Sequence, residues 1–337
     1  MQLRSLLTKA GVEVQLGKLT VLVGANNVGK SRTLRDIQEF VQKGATAPTT
    51  LLQSLRFHKP PSFDEVLAPV EVLPSPNSLD NRVVRGIGPS LMGEERFEIN
   101  MDYQRAQFEP SADLAYLLGG LAKFHLSYLD AASRLQVAQR SPSHNHYESA
   151  PSTLLQALFI KKSAAEDRLR ETFRATFGMD IRLDYGGMQQ LMLRVSTQFA
   201  DIPTDPREQA EVMRNYALLD QQGDGFRSFV GVVLSVLLSE GRIILLDEPE
   251  AFLHPMQARR LGKWLADQVA LGDSQVVVAT HNASFLAGIL AANQPVDIYR
   301  LNRNADITSY NLIAADDVTA HSGFSSSSPA SQCSSSG

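Results

Sequence analysis

The sequence predicts an α/β protein with a mixed, mainly parallel sheet. Three observations carry that prediction. A β-type run, Leu19-Thr20-Val21-Leu22-Val23, enters a glycine loop and then a segment with helical apolar spacing. Four consecutive apolar residues, Ile243-Ile244-Leu245-Leu246, stand ahead of Asp247. A further apolar run, Val276-Val277-Val278-Ala279, ends at Thr280-His281-Asn282. Uninterrupted runs of this kind suit strands covered on both faces, and ligand-binding loops gather at the carboxyl ends of such strands.

Near the start, Val12, Val14 and Leu16 alternate with polar residues, which predicts a half-exposed strand in a small antiparallel layer beside the main sheet. The glycine loop reads Gly24-Ala25-Asn26-Asn27-Val28-Gly29-Lys30-Ser31. Gly24 and Gly29 permit a tight wrap, so backbone N–H groups and the positive end of the next helix converge on phosphate oxygens. Lys30 is placed to reach the β- and γ-phosphates, and Ser31 a magnesium ion. Gly24, Asn26, Asn27, Val28, Gly29, Lys30, Ser31 and Arg32 are the expected nucleotide contacts. Leu34, Ile37 and Val41 then recur at helical spacing, predicting a helix over 31–43.

Residues 44–110 carry many prolines and glycines, as in Lys59-Pro60-Pro61 and Pro74-Ser75-Pro76-Asn77, and read as loops and short strands inserted into the nucleotide fold. A strand is expected over 123–129. The segment Ser141-Pro142-Ser143-His144-Asn145-His146 reads as a solvated loop, because its two histidines lack a cysteine or acidic companion for a metal. The spacing of Leu154, Leu155, Leu158, Phe159, Leu169 and Phe173 predicts one long helix over 153–177. Its polar face holds Lys161, Lys162, Arg168, Arg170 and Arg174, a basic face that suits DNA or a partner as well as plain solvent. Strands over 180–184 and 190–195 and a helix over 206–216 complete a helical and mixed lobe at 111–215. Residues 1–110 and 216–315 form the core around it.

Asp247 emerges at the carboxyl end of its buried strand, where it is expected to hold magnesium, directly or through water. Glu248 points elsewhere and can accept a proton from the water that attacks the γ-phosphate. His281, at the exit of the next apolar strand, can contact the γ-phosphate and sense its loss. A helix over 284–290 and strands over 296–301 and 307–312 are expected to close the sheet's edge. The tail, 316–337, is mostly serine and glycine in its last part and is expected to be disordered.

Together these blocks resemble the ATP-binding-cassette superfamily of ATPases, in the soluble branch that contains RecF-type, chromosome-maintenance and OLD (overcoming lysogenization defect) proteins. The stretch Leu246-Asp247-Glu248-Pro249-Glu250-Ala251-Phe252-Leu253-His254-Pro255 is similar to the OLD family in particular, and the resemblance covers most of 1–315. It implies an ABC-type P-loop NTPase fold in which Lys30 and Ser31 bind nucleotide and magnesium, Asp247 carries the metal, Glu248 is the base and His281 the switch. It also implies a signature loop that leads a helix facing the γ-phosphate of a partner subunit. The candidate is Gln221-Gln222-Gly223-Asp224-Gly225, with Gly223 and Gly225 permitting close approach. The Ser-Gly-Gly-Gln pattern of transporters is absent, and Asp224 sets a negative charge where phosphate should come unless it points away or meets a cation. Family members carry an arginine in a stretch similar to Asp130–Arg134, which makes Arg134 a phosphate or interface contact, or else a surface arginine.

If the loop acts in this way, one chain cannot complete its own site, and a homodimer that closes on ATP is expected. ATP is favoured over GTP because no Asn-Lys-x-Asp segment occurs. Two functions stay open. One is an ATP hydrolase that regulates a separate nuclease or toxin effector in defence against phage, as the OLD resemblance implies. The other is an ATP-gated DNA clamp of the RecF or chromosome-maintenance type, acting in DNA repair. Full-length OLD proteins continue into a Toprim nuclease domain, and no such acidic cluster follows here. The chain therefore reads as an ATPase half acting alone or with a separately encoded effector, or as a shortened or frameshifted product.

The net charge of −4 over 337 residues gives no global pull toward nucleic acid or acidic membrane, so any DNA contact must come from a local patch. A single cysteine, Cys333, excludes an intramolecular disulfide and suits a reducing compartment. No secretory apolar region follows Met1 and no apolar run is long enough to span a bilayer, so a cytoplasmic protein without a membrane partner is expected.

Overall fold

The computed structural model describes residues 1–109, 119–143, 145, 149–161, 163–304 and 307–313. The serine-rich tail, Cys333, Lys162 and the His144/His146 pair lie outside the described residues.

The chain opens with β1 (Gln2–Thr8), β2 (Glu13–Gln15), β3 (Leu19–Val23), α1 (Lys30–Lys43) and β4 (Leu52–His58). Next come α2 (Phe63–Leu67), β5 (Glu71–Pro74), β6 (Asn81–Ile87), β7 (Glu94–Asn100), α3 (Met101–Phe108), β8 (Leu126–Leu129) and α4 (Ala131–Val137). The middle holds β9 (Ser141–Pro142), α5 (Leu154–Lys161), α6 (Ser163–Phe177), β10 (Asp180–Asp184), β11 (Gln190–Ser196), α7 (Pro206–Met213) and β12 (Ala217–Leu218). The last third comprises α8 (Asp224–Leu238), β13 (Ile243–Asp247), α9 (Pro255–Leu271), β14 (Gln275–Thr280), α10 (Ala283–Leu290), β15 (Asp297–Asn304) and β16 (Ile307–Ile313).

Six strands form the central sheet in the order β16-β15-β3-β14-β13-β8. All neighbours are parallel except β15 and β16 at one edge. The apolar runs explain this placement. Alternate side chains of β13 and β14 point to opposite faces, so Ile244, Leu246, Val276 and Val278 enter one core with Val233 of α8 and Leu265 of α9. Ile243, Leu245, Val277 and Ala279 enter the other with Leu34 and Ile37 of α1. Every residue from Ile243 to Leu246 is fully buried. At about 1.5–3 kcal/mol for each such side chain, this strand can occupy no surface position without heavy loss. The antiparallel layer β2-β1-β4 is tied to the sheet through Gln275, whose side chain accepts from the Leu3 N–H at 2.7 Å and donates to Leu3 O at 2.8 Å.

Within 44–110 the short strands β5, β6 and β7 pair as an antiparallel sheet. Three expectations are revised. The strand expected over 123–129 starts as a 3-10 turn, Gly119–His125, and its extended part, β8, pairs with β13 in the central sheet and so belongs to no separate lobe. The single helix expected over 153–177 is two helices, α5 and α6. The basic face is largely consumed by internal pairing: Arg170 makes two hydrogen bonds to Asp180, Arg174 a third, and Lys161 meets Glu240 at 2.9 Å. Asp180 is 3% exposed, and a carboxylate withdrawn from water draws in the nearest cations. The apolar side of α6 packs Phe173 and Phe177 against Phe226 and Phe229 of α8, with ring centroids as close as 4.4 Å. Among the described residues no helix is long and apolar enough to cross a membrane.

Candidate functional site

The loop between β3 and α1 depends on two glycines in left-handed backbone. Gly24 has φ +153° and Gly29 φ +109°. A Cβ on Gly24 would come within 2.6 Å of Leu301 O. Lys30 folds back over the loop, donating to Gly24 O at 2.9 Å and Ala25 O at 2.7 Å. Burial pulls its pKa down, opposed by the charges of Glu248, Asp247 and Glu250. The ammonium thus sits at the centre of the loop on two neutral acceptors, which phosphate oxygens can displace. The Arg32 side chain is committed elsewhere, forming a 2.7 Å ion pair with buried Asp36 and donating to Pro48 O. Any contact of Arg32 with nucleotide is therefore left to its backbone N–H.

Ser31 Oγ donates to Asp247 Oδ1 at 2.7 Å. The other Asp247 oxygen faces the Tyr128 hydroxyl at 3.4 Å, which in turn accepts from Arg35. Burial raises the Asp247 pKa, and the Ser31 hydrogen bond opposes that rise. A hydroxyl and a carboxylate oxygen at one point are the hard donors that magnesium takes, and a site with two protein ligands leaves positions for phosphate oxygens and water.

Glu248 takes φ +50°, with its N–H on Ala279 O at 2.8 Å. This turn carries its carboxylate toward the exit of β14, where Oε1 lies 2.7 Å from His281 Nδ1. Both side chains are substantially exposed and face solvent. Beside the glycine loop a cleft of about 550 Å³ is lined by Asn26, His281, Asn282, Arg300 and Asn302, among others.

Glu250, inside the sequence stretch that pointed to the site, has an unforeseen place. It is 4% exposed, accepts from Thr280 Oγ1 at 2.6 Å, and its second oxygen has no hydrogen-bond partner among the described residues. Burial raises its pKa, so a neutral carboxyl is favoured more than on the surface. Thr280 Oγ1 also accepts from the Asn282 N–H at 3.0 Å. The acidic loop and the His281 loop are joined twice, by Thr280 with Glu250 and by His281 with Glu248.

Arg134 is neither a surface residue nor a phosphate contact. Its exposure is 0%, and its guanidinium donates to Asp247 O, Glu248 O, Leu129 O and Ser228 Oγ. Buried main-chain carbonyls behind the acidic strand outcompete solvent for its donors. Tyr128, Arg35 and Glu250 carry no local sequence signal for their places, because their neighbours come from distant parts of the chain.

The Gln221–Gly225 loop leads directly into α8, with Gly223 at the N-cap. Asp224 turns onto Arg227 at 3.1 Å, so its charge is met by a cation. Space around the Gly223 Cα is open, whereas a Cβ on Gly225 would lie 2.7 Å from Phe252 O. The helix tip is therefore fastened to the loop that follows the acidic pair.

A mainly parallel sheet flanked by helices, with a glycine loop entering α1 and an acidic strand end beside it, is the fold of a P-loop ATPase. Residues 19–287 match the family described as "AAA domain, putative AbiEii toxin, Type IV TA system", and the chain belongs to that family. Among solved structures, an SMC head bound to the C-winged helix domain of ScpA is similar at TM-score 0.56 and 13% identity, covering 95% of this chain and 100% of that one. An SMC head domain with an extended coiled coil, bound to the C-terminal domain of ScpA derived from Pyrococcus furiosus, gives 0.53 and 12%, covering 95% and 98%. At such identities the likeness is one of fold. Among curated proteins, no sequence matches the chain.

Proposed function

We propose that two copies of this chain bind and hydrolyse ATP at a shared seam in the cytoplasm, and that the cycle regulates a separate nuclease or toxin effector. The observation that supports this best is the meeting of Ser31 with Asp247 and of Glu248 with His281 at the exits of two adjacent strands. In this reading Lys30 exchanges its carbonyl partners for β- and γ-phosphate oxygens, while Ser31 and Asp247 hold magnesium, which offsets phosphate charge when bound. Glu248 takes the proton of the attacking water, and His281 reports whether a γ-phosphate is present. Gly223 and Gly225, at the tip of α8, complete the partner's site. The core is 1–110 and 216–315 together with β8, which pairs with β13, and the rest of 111–215 forms the lobe beside it.

The effector and the role in phage defence rest on the similarity of 246–255 to the OLD family, and the family's description, with its "putative AbiEii toxin" and "Type IV TA system", is in keeping with a toxin system. Copurification from the native host with the Glu248→Gln variant tests it: a nuclease or toxin retained only with ATP is expected. The DNA-clamp reading has less support, since Arg170 and Arg174 are bound to Asp180. ATP-dependent DNA retention by the chain alone, with a steep salt slope, would reverse that order.

A further inference from the structure

Arg134 sits in α4, directly behind the acidic strand end. A guanidinium withdrawn wholly from water persists only where its donors are met. Here Nη1 donates to Asp247 O at 2.6 Å and to Leu129 O at 3.3 Å, Nη2 to Glu248 O at 2.7 Å, and Nε to Ser228 Oγ at 3.1 Å. Two acceptors are thus the carbonyls of the acidic pair. A third is a hydroxyl in the second turn of α8.

Glu248 needs such support. At φ +50° it occupies a backbone region that side chains other than glycine seldom hold, and the surrounding structure must over-determine it. Its N–H is held by Ala279 O on one side. Its carbonyl is held by Arg134 on the other. Release of the carbonyl lets the peptide relax toward ordinary backbone, and the carboxylate then leaves the exit of β14 and its place beside His281.

We infer that Arg134 is a positioning residue: it fixes Glu248 in the left-handed turn and, through Ser228, makes that turn depend on the seating of α8. This rests on the reading of Glu248 as the group that handles the water. Because α8 begins at Gly223 and Asp224, one buried guanidinium links the acidic pair of a chain to the helix tip that the same chain presents outward. Lysine cannot replace it, since a single ammonium lacks the planar fork that reaches acceptors on β13 and α8 together.

The test uses the full chain and four variants: Ser228→Ala, Arg134→Lys, Glu248→Gln and the double variant Ser228→Ala/Glu248→Gln. Steady-state kcat and KM for ATP are measured with the melting temperature of each. Ser228→Ala keeps both carbonyl bonds and is expected to fold, with kcat lowered about 3- to 10-fold and KM within about twofold, the split produced by a loss confined to the transition state. Arg134→Lys should lower kcat at least about tenfold with the same KM behaviour. In the Glu248→Gln background the Ser228 change should lower kcat no further, because its effect passes through Glu248. Parental kcat in Ser228→Ala, or a full further drop in the double variant, overturns the inference, and it does so even if Arg134→Lys does not fold. Parental turnover in Glu248→Gln overturns the assignment of the base instead, and the inference with it.

Discussion

His281 Nδ1 and Glu248 Oε1 are 2.7 Å apart, although the two residues leave different strands of the central sheet. The contact gives the carboxylate a partner that shares its solvent-facing side, where two adjacent strands of the sheet end.

Glu248→Gln keeps the size of the side chain and the hydrogen bond to His281 but cannot take a proton. ATP binding should survive, and turnover should fall by about two orders of magnitude or more, roughly 3 kcal/mol in the barrier. Rapid-quench hydrolysis beside analytical sedimentation checks both that drop and the trapped dimer. Hydrolysis at the parental rate would remove Glu248 from the role of base.

Lys30→Ala removes the ammonium from Gly24 O and Ala25 O and leaves the loop without its central charge. Nucleotide affinity should fall below detection in a fluorescent-analogue titration, while the far-UV spectrum stays parental. Affinity within about tenfold of the parent, or 1.4 kcal/mol, would contradict the phosphate cradle.

For the shared seam, Gly223 is the informative position and Gly225 is not. A side chain on Gly225 meets Phe252 O inside the same chain, whereas Gly223 faces open space. Gly223→Glu should cost about 1 kcal/mol or less of stability. It should spare ATP binding and abolish ATP-dependent dimerisation in sedimentation. An unchanged dimer is the outcome that rejects a site built across two copies.

His125 is 3% exposed, donates from Nε2 to Val66 O at 2.8 Å, and burial pushes its pKa down to about 4 from 6.5. The folded chain then takes up this proton less readily than the unfolded chain. Its contribution is whole above pH 6.5 and is lost as pH falls toward 4, by about 3 kcal/mol in all. His125→Gln lacks that titration, so the stability gap between parent and variant in urea unfolding should narrow by this amount from pH 7 to pH 4. A constant gap would show that the imidazole does not titrate there.

Asp180→Ala strips Arg170, itself only 16% exposed on its side chain, of its nearer carboxylate and leaves it Asp167 at 3.6 Å. A loss of about 2–3 kcal/mol is expected in chemical unfolding, the range for hydrogen bonds to charged groups that are removed from one side. ATP affinity should not change. A variant as stable as the parent would mean that the pair is held no tighter than a surface contact.

Much of the architecture was legible locally. Gly24 and Gly29 marked the loop between β3 and α1 because their backbone angles favour glycine wherever the chain goes. The run Ile243–Leu246 marked a doubly covered strand because alternate side chains must enter two different cores. The long helix expected over 153–177 misled, since apolar spacing persists across both α5 and α6 without specifying that they are separate. Arg134 gave no local signal of its fate, for its acceptors lie more than 90 positions downstream, apart from Leu129.

The sequence by itself determined the elements and the strand ends at which chemistry-bearing residues would stand, because periodicity and backbone sterics act over a few residues. Only the tertiary structure decided which charges are used internally and which face solvent. Arg32 went to Asp36, Arg170 and Arg174 to Asp180, and Arg134 to the back of the acidic pair, while His281 stayed half open beside Glu248. A long cationic side chain goes to whichever acceptors the folded chain has withdrawn from water, and those acceptors exist only after distant segments have packed together.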